Sequence, residues 1–123
     1  MESGAEVTTV NGNLSLSANA AGTQTGAFNG IEIDNALVHV NGSGILTVIG
    51  KGGLAAGLFN PSGVVVRNAG SISGGSSGTV EVSGYGGSGS SDSSGSYNLV
   101  GVSVDGTNSL ITSNGANVQV TGI

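Results

Sequence analysis

Residues 30–36 read Gly-Ile-Glu-Ile-Asp-Asn-Ala, and close variants of this phrase recur twice, as Gly-Val-Val-Val-Arg-Asn-Ala at 63–69 and Gly-Val-Ser-Val-Asp-Gly-Thr at 101–107. Each copy has a glycine, two apolar residues separated by a variable one, a charged residue, and then Asn or Gly. The copies are 33 and 38 residues apart. A nearly constant interval of this length indicates a solenoid, a propeller or a repeat array.

A second phrase, in which two apolar residues flank a variable one, alternates with the first. Its copies begin at Leu14, Leu46, Val80 and Val118, at intervals of 32, 34 and 38 residues. Alternating apolar residues are typical of β-strands with one buried face. We therefore predict first strands of the repeat at 13–18, 45–49, 79–83 and 117–121.

The same alternation predicts two more strands in each repeat. Second strands are expected at 31–34, 64–67 and 102–105, and third strands at 37–40, around Ile72 and at 109–112. The inward residues of the third strands are predicted to be Val38, Ile72 and Leu110. Each lies 8 residues before the first apolar residue of the next first strand, which is Leu46, Val80 or Val118. Length variation then lies almost wholly in the loop after the first strand, as expected for a loop that projects from a repeat. Residues 5–10 look like the end of a preceding repeat.

These patterns predict an all-β fold, a right-handed parallel β-helix (β-solenoid) with three strands per turn and about three full turns. Residues 1–123 form a single segment, with coils at roughly 11–42, 43–76 and 77–114 and the start of a fourth at 115–123. Stacked turns bury apolar columns that one turn cannot, and parallel crossovers are right-handed. A β-propeller is the second choice, but it needs four strands per blade.

Composition excludes several partners. The 123 residues include 25 Gly and 1 Pro, and the net charge is −5 with only 2 basic residues. Nucleic acids and anionic membranes require clustered Lys and Arg, so we expect neither as a partner. No apolar run approaches the roughly 18 residues of a membrane span, and from the start Met1-Glu2 we expect no signal peptide in these residues. Without cysteine the chain has no disulfide and no thiolate metal site.

Charged and amide residues recur at fixed repeat positions. Asp34, Arg67 and Asp105 occupy one position, and we predict a surface ladder in which Arg67 lies between the two carboxylates. The alternative is an acid pair for carbohydrate chemistry, for which the acids are too scattered. Asn35 and Asn68 follow as corner residues, which adopt left-handed conformations readily.

An aromatic residue followed by Asn precedes each second strand, at Phe28, Phe59 and Tyr97. Packed aromatics beneath the loops are the preferred interpretation, and an aromatic sugar-binding platform is the alternative. The longest loop, 84–98, makes Tyr85, Asp92 and Tyr97 the candidate ligand or display residues. The single histidine, His39, has no partners at ligand spacing. We predict no catalytic residue, no cofactor and no metal site.

Three runs resemble the β-helical shafts of filamentous haemagglutinin-like and giant β-strand-repeat bacterial surface proteins. They are Gly-Thr-Val-Glu-Val-Ser-Gly-Tyr-Gly-Gly (78–87), Leu-Val-Gly-Val-Ser-Val-Asp-Gly (99–106) and Leu-Ile-Thr-Ser-Asn-Gly-Ala-Asn-Val-Gln-Val-Thr-Gly (110–122). The resemblance implies export and display at the cell surface or outside the cell. The expected function is a non-enzymatic structural or adhesive repeat module, and the alternative is a carbohydrate-binding or carbohydrate-active β-helix.

Two partners are expected on this basis. One is a cell-surface glycan or protein. The other is a second copy of the chain, because neither end carries a charged blocking strand and both expose open strand edges. The copies would then stack end to end into fibres unless the terminal tails shield the edges.

Overall fold

The computed structural model describes residues 1–55, 61–89 and 99–123. Within those residues all regular structure is β-strand and no helix occurs, so the predicted all-β class is confirmed. The described segments accordingly contain no helix that is long and apolar enough to span a membrane. The strands are β1 (Glu6–Thr9), β2 (Leu14–Ala18), β3 (Ile31–Asp34), β4 (Leu37–Val40), β5 (Leu46–Lys51), β6 (Leu54–Ala55), β7 (Val64–Arg67), β8 (Ser71–Gly74), β9 (Thr79–Tyr85), β10 (Ser88–Gly89), β11 (Val102–Asp105), β12 (Leu110–Ser113) and β13 (Asn117–Gly122).

Eleven of these strands form three sheets, in which every pair is parallel. Sheet I has the order β2-β5-β9-β13, sheet II the order β3-β7-β11, and sheet III the order β1-β4-β8-β12. Apart from the short β6 and β10, the chain passes through sheets I, II and III in turn and then returns to sheet I. This arrangement is consistent with a β-solenoid. We call each strand position within a sheet a rung.

The register of sheets I and II is the one that the repeat spacing predicts. Leu14 pairs with Leu46, Leu46 with Val80, and Val80 with Val118. In sheet II, Ile31, Val64 and Val102 are paired in the same way. In β5 the buried residues alternate with half-buried ones, because successive side chains point to opposite faces of a strand.

The core is one hydrophobic cluster to which all three sheets contribute. Except for Ile33 in the edge strand β3 and the corner residue Ala36, its buried members lie in strands that have a neighbour on both sides. Each such side chain contributes roughly 1.5–3 kcal/mol when it is removed from water. The largest fully buried side chains are Ile33, Val38, Val40, Leu46, Val48, Val64, Val66, Ile72, Val80 and Val82.

One predicted core position is wrong. Ile111, and not Leu110, is the register partner of Ile72, and Leu110 pairs with Ser71 and is 39% exposed. The corner between sheets II and III lengthens from two residues after β3 to three after β7 and four after β11. In the last repeat the spacing from the inward residue of the third strand, Ile111, to Val118 of the next first strand is therefore 7 residues and not 8. Residues 5–10 do end a preceding repeat, because β1 pairs with β4.

The glycine that opens each copy of the repeated phrase lies where the backbone is too crowded for a side chain. A Cβ on Gly63 would lie 2.2 Å from the Tyr85 nitrogen, and one on Gly30 would lie 2.4 Å from the Lys51 nitrogen. On Gly101 it would lie 2.2 Å from the Ile123 nitrogen. The start of each second strand therefore touches the end of the first strand one rung further on. We call this contact the glycine pinch, and it fixes the point at which the chain re-enters the stack after each long loop.

Substitution of Gly63 by alanine is expected to lower the free energy of unfolding by about 3 kcal/mol, at the upper end of overpacking costs, because the clashing atoms are backbone and cannot rotate away. Gly12→Ala is the matched control, since a Cβ there meets nothing within 4 Å. Urea denaturation followed by circular dichroism measures both variants. Equal losses in the two variants would contradict the glycine pinch.

Candidate binding surface

The outer face of sheet II carries a cluster of three charged side chains. Arg67 Nε donates to Asp34 Oδ2 at 2.9 Å, and Arg67 Nη2 lies 2.6 Å from Glu32 Oε1. β3 and β7 pair in register with Asp34 opposite Arg67, and Glu32 lies two residues before Asp34 on the same face. Arg67 therefore binds two carboxylates of the preceding rung.

Part of the predicted ladder differs from the observed contacts. Asp105 is the register partner of Arg67 on the other side, as expected. The ion pairs recorded for Arg67 within the described part of the chain nevertheless go to Glu32 and Asp34. Asp105 Oδ1 instead accepts a hydrogen bond from the backbone nitrogen of Gly106 at 2.7 Å. Partly exposed pairs of this kind contribute little to stability.

Hydrogen bonds keep Asp34 ionised. Asn68 Nδ2 donates to Asp34 Oδ1 at 2.9 Å, and this bond, followed by the one from Arg67, lowers the pKa of Asp34 below its ordinary value. The Asp34 carboxylate in turn raises the pKa of Arg67. A general acid for glycoside cleavage needs a raised pKa. The environment of Asp34 has the opposite effect, so the cluster is suited to structural pairing or to contact with a polar ligand.

The corner asparagines adopt the predicted left-handed backbone. The φ angles are 46° at Asn35 and 51° at Asn68, and the third copy has Gly106 at 84°. Asn35 Nδ2 donates to Ser3 Oγ at 2.8 Å, whereas the Asn68 amide binds Asp34. These side chains therefore combine a turn conformation with contacts to the neighbouring rung.

The side of the molecule that carries the long loops has its own short sheet. β6 pairs with β10, and Thr25 forms a bridge with Leu54. Phe28, Leu54 and Leu99 are exposed on this side. Tyr85 is the last residue of β9, so it lies at the base of the predicted display loop, where its register partner is Lys51. We call these five residues the loop surface.

Three of the predicted site residues, Phe59, Asp92 and Tyr97, lie outside the described residues. Phe28, which belongs to the same predicted aromatic set, lies against Gly53, where an added Cβ would approach its ring to 2.6 Å. Phe28 is the one member of the set that the structure describes, and its ring therefore lies close to the backbone at Gly53.

Asn29 was not singled out from the sequence, although it follows Phe28 in the repeated aromatic-Asn pair. Its Oδ1 accepts from the Ser62 nitrogen at 3.0 Å, and its Nδ2 donates to Glu32 Oε2 at 2.8 Å. The recurrence of Asn after each aromatic was the signal that could have found it. Asn29 thereby links the base of one loop to the next loop and to the charged cluster.

Metal-ligating groups are sparse in the described residues. No group of three or more His, Cys, Asp or Glu side chains is placed to hold a metal ion within 1–55, 61–89 and 99–123. His39 Nε2 is hydrogen-bonded to Asn41 Oδ1. An open cleft of about 340 Å³ lies at the first rungs, lined by Met1, Val7, Leu16, Ser17, Gly30, Ile31, Glu32 and Ile33.

No protein family, no curated protein and no solved structure matches this chain. The resemblance to haemagglutinin-like surface proteins therefore stays a prediction.

Replacement of Asn68 by glycine is expected to raise the pKa of Asp34, because it removes the hydrogen bond that contributes most to the lowered pKa and keeps the left-handed corner. Because the native pKa is lowered, Asp34 stabilises the fold fully above its unfolded-state pKa, and this contribution is lost as pH falls through the native value. NMR titration of the carboxyl carbon measures the shift. Asn35→Gly is the control, since its amide binds Ser3, and an equal shift there would contradict the assignment.

Proposed function

We propose that the chain is a right-handed parallel β-helix that serves as a non-enzymatic structural or adhesive repeat module of a bacterial cell-surface or secreted protein. The observation that carries the proposal is the unbroken register of sheet I, in which four rungs stay paired although the intervals along the chain are 32, 34 and 38 residues. A module of this kind adds length by adding rungs and accepts sequence change in its loops.

The handedness and closure of the helix are supported by two arguments. Crossovers between parallel strands are right-handed in nearly all proteins. The core cluster also joins inward side chains of all three sheets, as expected if the sheets enclose a common interior. The extracellular or cell-surface location is proposed from the sequence resemblance.

Duplication of one repeat tests this proposal. Insertion of a second copy of residues 46–79 before Val80 adds one rung to each sheet in the correct order, so the variant is expected to fold cooperatively. Two successive duplications should lengthen the particle by about 10 Å, because rungs are about 4.8 Å apart. Small-angle X-ray scattering measures the length, and circular dichroism measures the thermal transition.

The matched control duplicates residues 46–62 only, which contain β5 and its loop. The 17 additional residues can be accommodated in the loop between sheets I and II, so this variant is expected to add no rung and to keep the length of the unmodified chain. If the full-repeat duplication is no longer than the control, or has no cooperative transition, the chain is not modular and the proposed function is wrong.

A second candidate, carbohydrate binding, is favoured by the loop surface. Tyr85 is paired in register with Lys51, and the apolar side chains of Phe28 and Leu54 are exposed on the same side. An aromatic face beside a few polar donors is a common composition of small-ligand sites.

A panel of immobilised glycans tests this second function. Saturable binding is expected to weaken about tenfold or more in Tyr85→Ala, because the loss of an aromatic contact of 1.4 kcal/mol has that effect. Val10→Ala is the control, since Val10 is an exposed apolar residue on the β1 side. Absence of saturable binding, or binding that both variants reduce equally, would contradict carbohydrate recognition at Tyr85.

A further inference from the structure

The final rung of each sheet exposes side chains that belong to the core columns. β11, β12 and β13 are each paired on one side only in the described structure. Val104, Val118 and Val120 are 48%, 42% and 48% exposed, whereas their partners one rung back, Val66, Val80 and Val82, are buried. This surface, which we call the C-face, is therefore a set of three strand edges around an apolar centre.

The opposite surface, the N-face, contains an additional rung that is not assigned as a strand. The Met1 nitrogen donates to the Glu32 oxygen at 2.6 Å, and the Asp34 nitrogen donates to the Met1 oxygen at 3.0 Å. This is the parallel ladder pattern with Met1 opposite Ile33. The Met1 side chain also packs against the core cluster. Residues 1–3 thus continue sheet II beyond β3.

With this rung, each of the three sheets has four rungs within the part of the chain that the structure describes. Sheets I and III each have four strands, and sheet II has three strands and residues 1–3. The N-face consists of β1, β2 and residues 1–3, and the C-face consists of β12, β13 and β11. Equal heights let all three sheets meet a second copy at the same time.

We propose that the C-face of one copy docks on the N-face of a second copy, with the internal register continued across the junction. The proposal deepens the repeat-module function and rests on it. Its main support is the match between the two faces, because apolar positions meet apolar positions in every sheet. Continuing the register pairs Val118 with Leu14, Val120 with Leu16, Ile111 with Val7, and Val104 with Met1.

Backbone groups at the junction supply the second support. Exposed parallel edges carry unpaired N–H and C=O groups that favour pairing with another strand. The flanking outward positions are also compatible, since Gln119 would meet Ser15 and Thr121 would meet Ser17. A second copy therefore satisfies both the apolar columns and the strand edges.

One contact across the junction is unfavourable. Because Met1 lies opposite Ile33, Glu2 occupies the column of Asp34, Arg67 and Asp105. Docking therefore places Asp105 beside Glu2 of the second copy, and like charges on directly paired strands are destabilising. Within one copy Arg67 separates Asp34 from Asp105, but no basic residue separates Asp105 from Glu2. This pair is the feature that limits association of the unmodified chain.

Charge reversal at the junction tests the proposal. Glu2→Lys should strengthen self-association about tenfold, because it replaces the repulsive pair with Asp105 of the second copy by an attractive one and sets no second cation beside Arg67. Glu81→Lys is the matched control, since it makes the same change in net charge at an exposed position on β9 within sheet I. Sedimentation equilibrium measures the association constants, and negative-stain microscopy of the same samples shows whether the particles are rods.

A second variant separates junction contacts from nonspecific charge effects. Val120→Asp in the Glu2→Lys background places a carboxylate in the apolar column and should abolish rod formation, while circular dichroism confirms that the fold is retained. Equal association of Glu2→Lys and Glu81→Lys, or rods that persist in the double variant, would overturn end-to-end docking. If repeat duplication succeeds while Glu2→Lys stays monomeric, docking is wrong and the repeat-module function is not.

Discussion

The rest of the structure depends on the close approach of backbone at the base of each long loop. Gly30, Gly63 and Gly101 each directly precede a strand of sheet II and lie against the end of a strand of sheet I one rung further on, at distances that admit no Cβ. The chain leaves and re-enters the stack at fixed points, so the intervening loop can lengthen without disturbing the rungs. The glycine pinch thereby allows a constant register to coexist with repeats of unequal length.

Sequence spacing predicted sheets I and II well because the pinch confines insertions between them to the loop. The first-strand columns through Leu46 and Val80, and the second-strand column through Val64, were identified from apolar alternation alone. Sheet III was predicted less well. Its corner gains one residue at each turn, and left-handed residues such as Ala69 and Asn108 accommodate the extra length. Alternation cannot distinguish Leu110 from Ile111, because both are apolar.

In the candidate surfaces, the sequence could predict only contacts between residues at equivalent positions of neighbouring rungs. Comparison of equivalent repeat positions placed Asp34 beside Arg67, but it could not show that Arg67 also reaches Glu32 across the strand. It likewise could not assign the Asn68 amide to Asp34, because a corner residue was judged by its backbone preference and not by its side chain. The two contacts that the comparison missed join residues that are offset along neighbouring strands, and such contacts depend on side-chain length and direction.

Interstrand nuclear Overhauser effects in uniformly labelled protein test the parallel, in-register stack most directly. Contacts between backbone protons should connect Leu46 with both Leu14 and Val80, and Val64 with both Ile31 and Val102. Contacts of antiparallel type between strands that follow one another in the chain, such as β2 with β3, would show hairpins instead of stacked rungs and would contradict the register, the glycine pinch and the docking of the end faces together.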